Sequence, residues 1–100
     1  MKVAEYRREV TASSGSYNEE TFNNVGGLLR NILVKANTAT TTFQVTLTDH
    51  KDMVRKRYGW VEGELIDDTI AIPITGSYTI GIVNASVDDT FKIVFGVQES

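Results

Sequence analysis

The chain has 100 residues, a single histidine, no cysteine and a formal net charge of −3. A chain of this length suits one domain with a modest core, so we expect a single domain over residues 1–100. The lack of cysteine excludes a disulfide framework and a thiolate metal site. The acidic balance argues against nucleic-acid binding through the whole surface.

No segment has the pattern of a targeting or membrane signal. Residues 1–8 become charged too early for a secretory signal peptide. No apolar run approaches the ~18–20 residues that a membrane helix needs. We therefore expect a product made in the cytoplasm that does not bind a membrane.

Residues 1–24 predict an N-terminal edge strand followed by a loop. Residues 3–11 alternate weakly and carry charges of the kind that discourage unwanted pairing at a sheet edge. An arm lying on a partner is the alternative. Residues 12–24 are rich in Ser, Asn, Gly and Glu, which predicts a long loop. A short helical turn over residues 17–22 stays open.

The segment 28–35 is apolar on both faces and follows Gly26-Gly27. This pattern predicts a strand that is buried on both sides. On a regular strand, one face would carry Leu28, Ile32 and Val34, and the other would carry Leu29 and Leu33.

Alternating apolar residues predict most of the remaining strands. Residues 40–48, 70–74, 78–82 and 91–97 each place large apolar side chains on one face, and Gly76-Ser77 is expected to separate the two isoleucine strands. The inward side chains are Phe43, Val45 and Leu47, then Ile70, Ile72 and Ile74, then Tyr78, Ile80 and Ile82, then Phe91, Ile93, Phe95 and Val97. Seven or eight short strands predict an all-β fold, an antiparallel β-sandwich or jelly roll.

Residues that could perform chemistry are sparse. His50 has no second histidine or cysteine beside it for a zinc site, so we interpret it as a solvated turn residue. Asp88-Asp89 lies in an expected hairpin loop, where Asp is typical of turn geometry. Calcium ligation and catalysis are the alternatives for this pair. With no catalytic signature present, we expect a non-enzymatic protein with no catalytic residue, bound metal or cofactor.

The segment 51–60 combines cations with aromatic rings. It contains Lys51, Arg55, Lys56, Arg57, Tyr58 and Trp60. One interpretation is phosphate binding with base stacking. A second is a protein interface, because Arg, Tyr and Trp are enriched at binding hot spots. The third is a solvated edge strand whose Trp60 fills the core.

Three stretches, residues 26–34, 40–49 and 76–86 with the strand that follows, resemble the small all-β proteins of tailed bacteriophage virions. These stretches are rich in Thr and Ile. They are most similar to head decoration, or cement, proteins, which are small β-sandwiches that clip over joints between major capsid subunits. The final hairpin also resembles the end of bacterial carbohydrate-binding sandwiches.

The resemblance implies a non-enzymatic protein of the capsid surface that stabilises the head by bridging subunits. Its expected partners are the major capsid protein and further copies of itself, as a dimer or trimer, and we expect no nucleic acid. The alternative is a carbohydrate-binding or adaptor module of a phage tail or fibre, with Tyr58, Trp60 and Tyr78 as its aromatic surface. The expected interface residues are Arg55, Arg57, Tyr58, Trp60, Tyr6, Tyr17 and Phe22.

Overall fold

Seven antiparallel β-strands form the computed structural model, which describes the backbone of residues 2–12 and 17–99. The strands are β1 (Lys2–Ala12), β2 (Tyr17–Ala36), β3 (Thr42–Thr48), β4 (Val54–Glu62), β5 (Glu64–Asp67), β6 (Ile72–Val83) and β7 (Asp89–Glu99). The all-β prediction is confirmed, although β2 and β6, with 20 and 12 residues, are long rather than short. Within the described ranges no helix is long and apolar enough to cross a membrane.

The strand β2 organises the sheet because it is long enough to have different neighbours along its length. Its N-terminal part pairs with β6, and its C-terminal part pairs with β7 on one side and β5 on the other. The sheet order is β1-β7-β2-β6-β3-β4, with β5 off this path. A register shift between Phe22 and Val25 interrupts the pairing with β6, and such a bulge lets a strand bend.

Ring contacts between strands that are not neighbours show that the sheet folds over onto itself. Phe43 of β3 lies 5.0 Å from Phe91 of β7 between ring centroids. Tyr78 of β6 lies 5.4 Å from Phe95 of β7. Because β2 separates β7 from β6 and β3 in the sheet, these rings meet across the interior. The result is a two-layer sandwich in which β2 passes from one layer to the other.

Side chains from both layers fill this interior. Positions along β3 alternate strictly between half-buried and buried, as its sequence predicts. The largest fully buried side chains are Phe22, Phe43, Phe91, Phe95, Leu29, Ile32, Leu47, Ile80, Ile82, Ile93, Val34 and Val45. Burying one such Val, Leu, Ile or Phe contributes about 1.5–3 kcal/mol, so these rows hold the two layers together.

The loop predicted for residues 12–24 is wrong at Ala12, which ends β1, and at residues 17–24, whereas residues 13–16 lie outside the described residues. Residues 17–24 belong to β2, and Tyr17 pairs with Val83 while Phe22 pairs with Tyr78. No helical turn forms over residues 17–22. The polar composition hid the strand because its conformation comes from pairing with β6, which lies far away in the sequence.

The separation of the isoleucine strands at Gly76-Ser77 is also wrong. β6 runs without a break from Ile72 to Val83. Gly76 has φ +82° and pairs with Val25, at the edge of the β2 bulge. Glycine adopts this left-handed conformation without steric cost, so the residue permits a local irregularity within the strand and no turn is needed.

A second bulge in β2 changes which face its apolar residues occupy. The register with β7 shifts between Leu29 and Asn31. Leu29 therefore joins Ile32 and Val34 in the core, whereas Leu28 is half-buried, as is Leu33. The predicted assignment of Leu28 and Leu29 to the two faces is thus reversed, because an inserted residue inverts the alternation that follows it.

Candidate interaction surface

The strand β4 ends the sheet and contains two β-bulges. At the first, Gly59 and Trp60 together oppose Gln44 of β3. At the second, Arg55 is the extra residue, where the register with β3 shifts again. Each bulge adds one residue to β4 and so changes which side chains share a face.

The two bulges bring Val54, Arg57 and Trp60 to the outer face of the sheet. Val54 pairs with Thr48 and Arg57 pairs with Thr46, and both threonines point away from the buried face of β3. In a regular strand Val54 and Arg57 would point to opposite faces. All three side chains are exposed, and we call them the β4 outer row.

Trp60 is held in a conformation that is unfavourable for a large side chain. Its φ of +35° lies in the left-handed region, which costs on the order of 1–3 kcal/mol for a residue other than glycine. The side chain is nevertheless 61% exposed. The interpretation in which Trp60 fills the core is therefore wrong. The fold maintains a strained backbone that directs a large apolar ring into solvent.

Sequence reasoning did not identify Val54 or its exposed neighbour Met53 as part of this surface. Reading the segment as a regular strand separates Val54 from Arg57. The one available signal was Gly59, because an isolated glycine within a strand pattern often marks a bulge.

Tyr58 points the other way, toward the core, and joins the two layers at their edge. Its half-buried hydroxyl donates a hydrogen bond to Asp67 Oδ2 of β5 at 2.8 Å. Burial is the largest of the effects that raise the pKa of Tyr58 far above its ordinary value. The hydrogen bond to Asp67 and the charge of Asp67 add to it. The ammonium group of Lys56 lies 5.5 Å from the centre of the Tyr58 ring. Tyr58 therefore contacts its own chain, with little surface left for a partner.

Arg55, near the start of β4, contacts the turn that precedes the strand. Its guanidinium lies 3.6 Å from Asp49 Oδ2. Asp49 Oδ1 also accepts the backbone N–H groups of Met53 and Lys51 at 3.0 and 2.9 Å. The bond from Met53 contributes most and the bond from Lys51 comes next, and together they hold the pKa of Asp49 below its ordinary value. The interpretation of His50 as a solvated turn residue is thus confirmed, since it lies in this turn and is exposed.

Of the other expected interface residues, two pack within the fold. Phe22 is 1% exposed and lies against Phe95 with 4.4 Å between ring centroids. Tyr6 is half-buried and stacks on the same Phe95 at 5.0 Å. The side chain of Tyr17 lies outside the described residues. The structure therefore brings Arg57 and Trp60 together on one surface and places Tyr6 and Phe22 elsewhere.

Asp89 is a buried carboxylate that serves the fold. It accepts the N–H of Thr38 at 2.8 Å, the hydroxyl of Thr41 at 3.0 Å and the N–H of Thr90 at 2.9 Å. Burial alone would raise the pKa of Asp89, but these bonds stabilise the anion and hold the pKa below its ordinary value. Its neighbour Asp88 is exposed. Within residues 2–12 and 17–99 no three His, Cys, Asp or Glu side chains gather as a metal site.

No protein-family model and no curated protein matches the chain. Among solved structures, it is similar to a chain of infectious bursal disease virus, Gt strain, with 11% identity and a TM-score of 0.41 over 96% of this chain and 32% of that chain. It is also similar to a family two carbohydrate esterase from Cellvibrio japonicus, with 9% identity and a TM-score of 0.37 over 95% of this chain and 35% of that chain. The chain spans about a third of the length of each.

Proposed function

We propose that this chain is a non-enzymatic structural protein of a tailed-phage virion, a head decoration protein that binds the major capsid protein through the β4 outer row. The sequence resemblance supports the virion part of this proposal. The exposed row supports the binding part. A rigid sandwich that contacts neighbouring capsid subunits stabilises the shell, because separating the subunits must also break its contacts.

The observation that carries the binding surface is the strained and exposed Trp60. Backbone strain persists where the surrounding structure imposes it, and it clusters at functional sites. Tryptophan and arginine are the residue types most enriched at hot spots of protein interfaces. Arg57 lies on the same face as Trp60, next to the exposed Val54. The row therefore has the composition of a small protein-binding site.

The carbohydrate-binding alternative receives less support from the geometry. It needs several exposed aromatic rings, and Tyr58, Trp60 and Tyr78 are its candidates. Tyr78 is buried and Tyr58 is engaged with Asp67. Of these three rings, only Trp60 is fully available, and a single ring does not form a platform for a chain of sugars.

The test is binding of the purified protein to capsids that lack it. We expect Trp60→Ala to weaken binding by more than about 1 kcal/mol, roughly fivefold in Kd, because a hot-spot ring is removed. The matched control is Val87→Ala, which removes another exposed apolar side chain (48%) from the loop between β6 and β7. Circular dichroism confirms that both variants are folded.

Capsid occupancy that is unchanged in Trp60→Ala would remove the β4 outer row from the interface. Mass spectrometry of purified virions tests the broader proposal independently, since a decoration protein is present at a copy number comparable to that of the capsid protein. Its absence from virions would overturn the assignment.

A further inference from the structure

The two strands that end the sheet differ in how open they are to further pairing. β1 pairs with β7 along all of its 11 residues without a register shift. The strand at the other end, β4, contains two bulges and the consecutive cations Arg55, Lys56 and Arg57. Bulges and clustered like charges are the features that protect an edge from pairing. The edge of β4 is therefore protected, and β1 presents the long and regular edge.

The charges of β1 are of mixed sign, which makes the strand complementary to itself. Glu5 and Arg7 lie on the outer face, and Glu9 follows on the same face. Suppose that β1 of one chain pairs antiparallel with β1 of a second chain, about a two-fold axis perpendicular to the sheet. The residue on the axis then lies opposite the same residue of the second chain. Side chains that oppose each other then share a face. The choice of central residue therefore decides which charges meet.

Three residues in the middle of β1 are compared as the residue on the two-fold axis. Only one of them gives favourable charge pairs without placing like charges directly opposite each other. Centring on Arg7 places Glu5 opposite Glu9 and Arg7 opposite itself. Centring on Arg8 places two Arg8 side chains opposite each other. Centring on Tyr6 instead places Glu5 opposite Arg7 of the second copy, twice by symmetry. Like charges directly opposite are destabilising, and opposite charges are stabilising.

We propose that two copies of this chain associate through β1, antiparallel and centred on Tyr6, so that the β1 layers of both sandwiches form one continuous sheet. The occupant of the edge is thus a second copy of the same chain. Each Glu5 exchanges its partner within the chain for Arg7 of the second copy. This interface lies at the opposite end of the sheet order from the β4 outer row, so it is independent of the proposed capsid contact.

The geometry of the single chain is compatible with this exchange. Arg7 Nε donates to Glu5 Oε1 at 2.6 Å, and the two side chains are 74% and 53% exposed. An ion pair this exposed contributes little to the stability of one chain, so exchanging partners loses little. On the other face, the small Ala4 opposes Arg8 of the second copy. In the single chain Arg8 donates to the carbonyl of Arg7 at 2.8 Å and lies 5.0 Å from the centre of the Phe22 ring.

The experiment is a charge-swap cycle followed by sedimentation equilibrium across a range of protein concentrations. We expect the unmodified chain to dimerise, and Glu5→Arg and Arg7→Glu each to raise the dimer Kd by about tenfold or more, since each places like charges in opposition. The double variant Glu5→Arg with Arg7→Glu restores the pairs, and its Kd returns to within about threefold of the original. Arg57→Glu is the matched control, because it makes the same charge change on β4 and leaves the dimer unchanged.

A chain that remains monomeric at millimolar concentration would overturn the proposal. So would a dimer whose Kd is unaffected by both single variants, or one that the double variant fails to restore. Thermal unfolding of all variants separates a lost interface from a lost fold. Loss of capsid binding by Trp60→Ala with dimerisation intact distinguishes the two surfaces.

Discussion

Two tyrosines of the sandwich have hydroxyl groups with opposite effects on the stability of the fold. The Tyr58 hydroxyl has an acceptor in Asp67. The Tyr78 hydroxyl is buried and has no hydrogen-bond partner among the described residues. Burial raises the pKa of Tyr78 far above its ordinary value, so this hydroxyl stays protonated. One hydroxyl therefore stabilises the fold, and the other carries an uncompensated desolvation penalty.

We predict that Tyr58→Phe lowers the free energy of unfolding by about 1 kcal/mol, because Asp67 loses a donor. The paired variant Tyr78→Phe should leave the free energy of unfolding unchanged or raise it, since it removes a buried polar atom and preserves the ring contacts. Urea unfolding of both variants measures the difference. A loss of stability in Tyr78→Phe larger than that in Tyr58→Phe would contradict this account.

At the scale of the strand, the bulge at Gly59 and Trp60 exposes a large ring at a cost in stability. The extra residue places Trp60 on the outer row and sets its φ at +35°. Asparagine is several-fold enriched among residues with positive φ, whereas a bulky residue there is a genuine outlier. The strand would therefore be more stable with another residue at this position.

We predict that Trp60→Asn raises the free energy of unfolding by about 0.5–1 kcal/mol relative to Trp60→Ala, because asparagine relieves the left-handed strain and alanine does not. Both variants lose the indole and should bind capsids equally weakly. Chemical unfolding and capsid binding, measured on the same samples, test the two effects together. Equal stability of the asparagine and alanine variants would show that the backbone at this position is not strained.

At the scale of the whole molecule, Asp89 connects segments that are distant in the sequence. It lies at the start of β7 and binds Thr38 and Thr41 in the connection between β2 and β3. The carboxylate thus links the start of β7 to the connection between β2 and β3. A carboxylate whose pKa is lower in the folded state stabilises the fold only while it is ionised.

We predict that this contribution is complete above about pH 5, declines as the pH falls through the ordinary value of 3.8, and is lost as the pH falls through the folded pKa of Asp89. Asp89→Asn should destabilise the fold by about 1–3 kcal/mol at neutral pH, since buried donors lose their anionic acceptor. It should also flatten the dependence of stability on pH in that acid range. The control is Asp88→Asn, at the exposed neighbouring position. A steep acid loss that persists in Asp89→Asn would assign the effect to other groups.

Only part of the candidate surface could be predicted from the sequence, because residue type does not determine strand register. Arg57 and Trp60 were expected at an interface from their residue types, and the structure places both on one exposed face. Phe22 was also expected among the interface residues and is buried, because pairing with β6 converts its expected loop into a core strand. Residue type indicates what a side chain could do, whereas strand register decides whether solvent reaches it.

The sequence by itself determined the β class and the buried rows of β3 and β7, since alternating large apolar residues on a strand must share a face that is removed from water. Tertiary structure alone decided the remainder: residues 17–24 as strand, Gly76 within one continuous β6, and the two bulges in each of β2 and β4. The physical reason is that a bulge or a polar strand gains its stability from hydrogen bonds to its partner strand, which for β2 lies far away in the chain. Such bonds leave no periodic trace in the local sequence.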